Sequence, residues 1–210
     1  LGSVILTAMQ FPSIVPVKDI NGAYAGNPIN DSNNPMGQLS RNKDNKQKRV
    51  QALGNVFANL YVGDFTFKTS FGLDYQNYNI RSFSPTYDEI LSTNNTNSLS
   101  TSNSFNYQFS FTNTLNYKKQ FGKHHLDAIL GQESIEYNYE GFSASVSEFL
   151  YEDLNFRYLS FGTENMLNSG SANGWSLNSY FGRVNYNFDE KYLFTATVRR
   201  DGSSRFSEDN

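Results

Sequence analysis

The 210-residue chain contains no cysteine. That excludes a disulfide framework and thiolate metal sites, and it fits a protein that crosses an oxidising periplasm without needing bridges. Long apolar runs are missing too. Hydrophobic residues make up 38% of the chain and mean hydropathy is −0.58, so no segment approaches the roughly 18 apolar residues of a membrane-spanning helix. A helical membrane protein is excluded, whereas a β-barrel, whose strands alternate and look hydrophilic on average, is not. Positive charge is scarce: 17 Lys and Arg stand against 20 Asp and Glu, for a net charge of −3. The basic residues cluster only between 43 and 49, so a nucleic-acid partner has no electrostatic support. Residues 1–6 lack the charged region, apolar stretch and cleavage site of a signal peptide, so export is expected to be specified upstream of an excerpt.

Aromatics are abundant, with 18 Phe and 14 Tyr, a balance suited to thin, two-faced sheets rather than a thick core. From Val50 to Val62 every even position is apolar or small, and period two means a strand. After Gly63-Asp64, a tight-turn dipeptide, Phe65, Phe67, Phe71, Leu73 and Tyr75 fall on one face, and Thr66, Lys68, Ser70, Asp74 and Gln76 on the other. The cleanest alternation sets Phe105, Tyr107, Phe109, Phe111, Leu115 and Tyr117 against Asn106, Gln108, Ser110, Thr112, Thr114 and Asn116. Beyond a short link near Gly122, the apolar phase moves from Leu126, Ala128 and Leu130 to Ile135, Tyr137 and Tyr139. The shift predicts a β-bulge between Gly131 and Ser134. Two further strands carry Tyr180, Gly182, Val184, Tyr186 and Phe188, then Tyr192, Phe194, Ala196 and Val198.

Short links at 63–64, 118–124 and 189–191 alternate with long ones at 82–104 and 141–176, so all short links fall at one end of the sheet. Outer-membrane barrels have short periplasmic turns and long extracellular loops. Tyr and Phe also gather at both strand ends, as two headgroup-level girdles require. A soluble antiparallel sandwich shares the periodicity, but several runs reach 13 residues or more, whereas globular strands centre on about 5–6. The expected fold is all-β: about six antiparallel strands, in long hairpins, of a larger transmembrane barrel. Residues 1–47 are expected to be loop-rich and extracellular, and residues 48–200 to hold the strands.

The run SYFGRVNYNFDEKYLFTATVRRDGSSRF, from Ser179 to Phe206, resembles closely a stretch of the SusC/RagA family of TonB-dependent outer-membrane transporters. FGKHHLDAILGQE at 121–133 and PVKDINGAYAG at 16–26 are similar to the same barrel with weaker identity. The resemblance implies a multi-pass barrel of roughly 22 strands in the Gram-negative outer membrane. It also implies uptake of oligosaccharide or peptide with a SusD-like surface lipoprotein, driven by the TonB complex through a plug. No plug, TonB-contacting segment or barrel-closing strand is found in the sequence, so the chain is expected to be part of a larger barrel. The alternative reading is a soluble all-β glycan-binding or adhesin-like module, in which the aromatic face turns into a core.

No catalytic, metal or cofactor site emerges. His124 and His125 are adjacent on a strand start and point to opposite faces, and Asp127 has no nucleophile-elbow or phosphate-cradling pattern near it. Glu133, Glu136, Glu148, Glu152 and Asp153 are expected in the lumen or loops. Tyr151, Arg157, Tyr158 and Trp175 are candidates to stack on sugar rings or meet a partner; the alternative is that each only folds its loop. Arg200, Asp201, Gly202, Arg205 and Phe206 form the family-like motif, expected just past the last strand with its charges pairing to order a loop.

Overall fold

In a computed structural model residues 2–206 are described. The chain runs α1 (Gly2–Gln10), α2 (Pro35–Asn42), β1 (Lys46–Val62), β2 (Phe65–Ser84), β3 (Tyr87–Glu89), β4 (Ser92–Asn94), β5 (Ser98–Phe121), β6 (His124–Phe149), β7 (Gly162–Phe188) and β8 (Tyr192–Ser203), with 3₁₀ turns at Leu154–Phe156 and Leu159–Phe161. The six long strands form one sheet in the order β1-β2-β5-β6-β7-β8, and β3 and β4 form a separate hairpin. Among the described residues no helix is long and apolar enough to cross a membrane, which says nothing about strands.

Two of the expected loops are shorter than the sequence indicated. Strand β5 begins at Ser98, and β6 and β7 continue to Phe149 and from Gly162, so most of 141–176 is strand. Ser, Asn and Gly dominate that stretch, and their turn propensity is overridden by hydrogen bonding to neighbouring strands. The real connections are 85–97, which contains the small hairpin, and 150–161. Residues 2–45 are turns around two short helices. The signal for α2 lay in the sequence: Asn34 caps it by accepting from the Met36 and Gly37 amides, with Pro35 at its first position, the arrangement favoured at helix starts.

The chain divides into two compact units. The first comprises Leu1–Lys48, Tyr78–Asn103 and Gly141–Gly170. Its core of Phe83, Leu99, Val146 and Phe149 includes an edge-to-face pair, Phe83 and Phe149, at 5.3 Å. Beside it lies a buried polar network. The Glu89 side chain, 1% exposed, is ion-paired with Arg41 and accepts the Asn34 amide at 2.7 Å. Asn34 in turn donates to the Val17 and Ala25 carbonyls. Gly26 and Gly37 sit so close to Glu89 that a Cβ on either would collide with it.

The second unit comprises Arg49–Asn77, Ser104–Glu140 and Ser171–Asn210, and consists of strand pairs joined by the short turns. Gly63 and Gly122 take φ of +58° and +61°, which fits the mirror-image turns that match strand twist. The turns are tied together: Asp64 accepts the Lys118 amide and pairs with Lys119, while Lys123 accepts the Asp189 amide at 2.8 Å and ion-pairs with it. The bulge expected at 131–134 is absent. Gly182 faces Leu130 and Gly174 faces Asn138, so both strands advance eight residues between those points and no residue is inserted. Ile135, Tyr137 and Tyr139 therefore change face relative to Leu126 and Leu130 because the strand pattern changes, not the backbone.

Candidate functional site

Register assigns every side chain of the second unit to one of two faces. Asn55 bonds Ser70, Gln51 bonds Asp74 and Lys118 pairs with Asp127, which places the Thr, Ser, Asn and Lys positions of β2 and β5 together on one polar face. A groove of about 460 Å³ on it is lined by Asn59, Thr66, Lys68, Thr112, Thr114 and Asn116 among others. His125 lines a second groove with Lys118, Asp127 and Asn185.

The opposite face is apolar and uncovered. Val56 is 68% exposed, Leu130 65%, Phe194 61% and Val198 70%. At the short-turn end it carries a band of rings: Phe65 against Tyr117 at 4.7 Å, His124 between Phe121 and Phe188 at 5.1 and 4.9 Å, and Phe188 near Tyr192. His124 Nδ1 and the Tyr186 hydroxyl lie 2.6 Å apart, so this histidine belongs to the aromatic band. Further up, the apolar stripe of β6–β8 stops at a row of amides in which Asn113 of β5 donates to Gln132 at 3.2 Å and Gln132 to Asn178 at 3.1 Å, while on β2 and β5 the same face continues with Phe71 against Phe109 at 5.7 Å. On β8 the equivalent level is Arg200, opposite Tyr180. From Tyr192 to Arg200 is about 26 Å along the strand at ~3.3 Å per residue, and roughly 20 Å if the strand tilts. That is the scale of the ~25 Å lipid-facing band of outer-membrane barrels.

The candidates separate into two groups. In the first unit Tyr151 (55% exposed) and Tyr158 (54%) flank Phe156 and Phe161 in an open aromatic cluster. Arg157 is turned inward: it donates to the Glu152 carbonyl at 2.7 Å, approaches Asp44 and lies over the Phe83 ring, while its own carbonyl accepts from Arg81. These contacts tie it into the loop interior. Glu152 holds Thr86 and Asn97 in the same way.

In the second unit Trp175 stacks on Tyr137 at 5.7 Å, with the Arg205 guanidinium 5.3 Å from its ring. Only Arg205 and Phe206 of the family-like motif lie past the last strand: β8 continues to Ser203 and takes in Arg200, Asp201 and Gly202, and Ser204 still bonds Ser176. Its charges do not pair with one another as expected. Asp201 pairs with Arg199, which also holds Glu133. Arg200 points to the other face, as alternation demands. Gly202 lies opposite Asn178, and Phe206 is exposed. Arg199 and Phe181 were not singled out in the sequence; counting alternate positions back from Asp201 would have found them.

A two-faced sheet with an exposed apolar band, ringed at one end by aromatics, is the wall of a membrane β-barrel. No family model matches the chain, but individual relatives do. TonB-dependent receptor P3 of Formosa agariphila is 33% identical across 100% of this chain and 21% of its own length. TonB-dependent receptor P39 of the same organism is 28% identical, over 99% and 20%. TonB-dependent receptor SusC of Bacteroides thetaiotaomicron is 34% identical over 50% of this chain and 10% of the receptor. A chain in the structure of the RagAB peptide transporter superposes with a TM-score of 0.77 at 26% identity, covering 91% of this chain and 22% of that one. In the open-open state of the RagAB peptide importer the TM-score is 0.76 at 28% identity. In sequence and fold alike, the chain is similar to a part of the barrel of TonB-dependent receptors of the SusC/RagA type. It spans about a fifth of the first two relatives' length.

Proposed function

We propose that the polypeptide to which this segment belongs is an outer-membrane importer of peptides or glycans. The uncovered apolar band carries the reading: on β6–β8 it ends at interfacial aromatics on one side and at Gln132, Asn178 and Arg200 on the other, as a lipid-facing band must. A soluble sandwich would have turned Val184, Phe194 and Val198 into a core, and all three are exposed. On this reading the face of Thr112, Thr114 and Asn116 lines the lumen, the short turns are periplasmic, and residues 1–47 and the two longer connections are extracellular. Uptake is driven by the TonB complex through a plug region of the parent chain. A SusD-like surface lipoprotein meets the barrel at its loops, where Tyr151 and Tyr158 stand exposed with apolar neighbours. The relatives are named as receptors and transporters, and the segment is assigned no reaction of its own.

The test is whether the parent polypeptide fractionates with the outer membrane, migrates faster unheated than boiled in detergent gels, and supports uptake of labelled peptide or oligosaccharide only when TonB is present. A soluble, heat-indifferent product would sink the barrel; TonB-independent uptake would sink the importer.

A further inference from the structure

The polar face carries apolar side chains at several points, such as Phe57 beneath Lys68 on β1 and Leu193 on β8, and gathers others into one strip. On β2 and β5 it presents Thr66, Lys68, Ser70, Thr112, Thr114 and Asn116. Because no bulge intervenes, the same face of β6 and β7 presents Ile135 and Tyr137 beside Trp175, Leu177 and Phe181. These five side chains are half-buried. They form successive cross-strand rows: Tyr137, Trp175 and Arg205; then Ile135, Leu177 and Ser203; then Glu133, Ser179 and Asp201; then Gly131, Phe181 and Arg199. An apolar strip on a water-facing surface is thus bordered by two guanidinium groups and two carboxylates, with Arg199, Glu133 and Asp201 retaining 42%, 28% and 46% side-chain exposure. A cluster of departures from the alternating pattern is where functional surface is expected.

We infer that this strip is a contact site for a peptide with an apolar side chain flanked by a carboxylate. It rests on the importer reading above, whose lumen this face would line. The chemistry favours peptide over sugar. Ile135 and Leu177 offer aliphatic surface for a peptide side chain, and the carboxylates of Glu133 and Asp201, which could otherwise accept from sugar hydroxyls, are both engaged by Arg199. Arg205 is exposed beside Trp175 and is free to form a forked pair with a carboxylate. The Tyr137–Trp175 and Ile135–Leu177 rows of the strip lie beyond the Gln132–Asn178 level, on the loop side of the proposed membrane band, where an incoming ligand arrives first.

The experiment titrates the parent polypeptide, purified in detergent, with a short peptide of alternating leucine and glycine ending in aspartate, and with a neutral linear maltodextrin. The wild-type protein is expected to bind the peptide and not the maltodextrin. Arg205→Gln is expected to weaken peptide binding about tenfold, Arg205→Lys to keep most of it, and Leu177→Ser to weaken it about fivefold. Arg205 is exposed, so its variants remain informative if Leu177→Ser fails to assemble. No peptide binding by a heat-modifiable outer-membrane protein, tighter binding of maltodextrin, or Arg205→Gln binding like wild type would overturn the strip alone. Peptide binding by a protein that does not reside in the outer membrane would overturn the importer reading instead.

Discussion

The two units solve the same problem with opposite chemistry. The second has almost no interior. Its strands satisfy their backbone groups by pairing, its apolar side chains stand uncovered, and its stability depends on what surrounds it. The first unit keeps a small interior, Phe83, Leu99, Val146 and Phe149, and organises the rest around buried polar groups, with Asn27, Asn34 and Glu89 all at 2% exposure or less. Where apolar side chains can face lipid, sequence periodicity alone specifies the structure; where chain must fold in water from few apolar residues, individual polar contacts specify it.

Removing Glu89 should affect the first unit most and leave the second intact. Glu89→Ala leaves Arg41 without its carboxylate and the Asn34 amide without its acceptor. Breaking a buried pair from one side costs about 3–5 kcal/mol. Amide exchange of the full polypeptide should rise across residues 16–43 and 87–94, while heat-modifiable migration stays unchanged. If exchange in that region were unaltered, the polar network would not be what holds the first unit.

The converse experiment addresses the second unit. Val184 lies midway up the apolar band, opposite Ala196, while its neighbour Arg183 lies on the polar face opposite Thr197. Val184→Arg should cost about 2–4 kcal/mol, the range for a cation at the lipid midplane. It should reduce the heat-modifiable fraction, whereas Asn185→Arg, one residue on and on the polar face, should assemble normally. Equal behaviour of the two would show that the faces are not distinguished by lipid.

How much of this was legible follows from the same contrast. In the second unit period two marked the strands, and the turn residues Gly63-Asp64, Gly122 and Asp189-Glu190 were readable. The error at 131–134 came from assuming that an apolar side chain must stay on the apolar face. Ile135 and Tyr137 lie where that need not hold, and nothing local in the sequence says so. In the first unit the lengths of β6 and β7 were hidden because Ser- and Asn-rich strands carry turn propensity until neighbours pair with them. The Glu89 network was invisible for a deeper reason: its partners Asn34 and Arg41 are 55 and 48 residues away, and no periodicity connects them. Arg157 looked like a ligand contact because Arg among aromatics is common to binding surfaces and to loop interiors alike; only its bonds to Glu152 and Asp44 separate the two.

A smaller effect tests the helix cap of the first unit. Asn34→Ala removes the acceptor for the Met36 and Gly37 amides and the donor to the Val17 and Ala25 carbonyls. A lost cap costs about 0.5–2 kcal/mol, and the stranded carbonyls add to it. Proteolysis within residues 16–43 should quicken, by less than for Glu89→Ala. Asn34→Asp, which keeps the cap acceptor but loses the two donated bonds, should fall between Asn34→Ala and wild type.

The smallest effect lies in the turns, and it should be favourable. Gly63 and Gly122 supply the positive φ that two of the three short turns need, but the third places Asp189 and Glu190 at φ of +53° and +55°. A left-handed conformation costs an L-residue about 1–2 kcal/mol relative to its preferred regions, less for Asp, whose short polar side chain bonds locally. Asp189 accepts from both Lys123 and Lys191, so its side chain cannot be spared. Glu190 is exposed and is the residue to replace. Glu190→Gly removes the steric cost but loosens the unfolded chain, leaving a net gain of about 0.5–1 kcal/mol. The unheated band should then persist to a slightly higher temperature, while Asp189→Gly, which relieves the same backbone but cuts the tie to Lys123, should lower it. If both substitutions raised that temperature, the ion pairs linking the turns would contribute less than the strain they accompany, and pairing along the strands alone would hold that end of the sheet together.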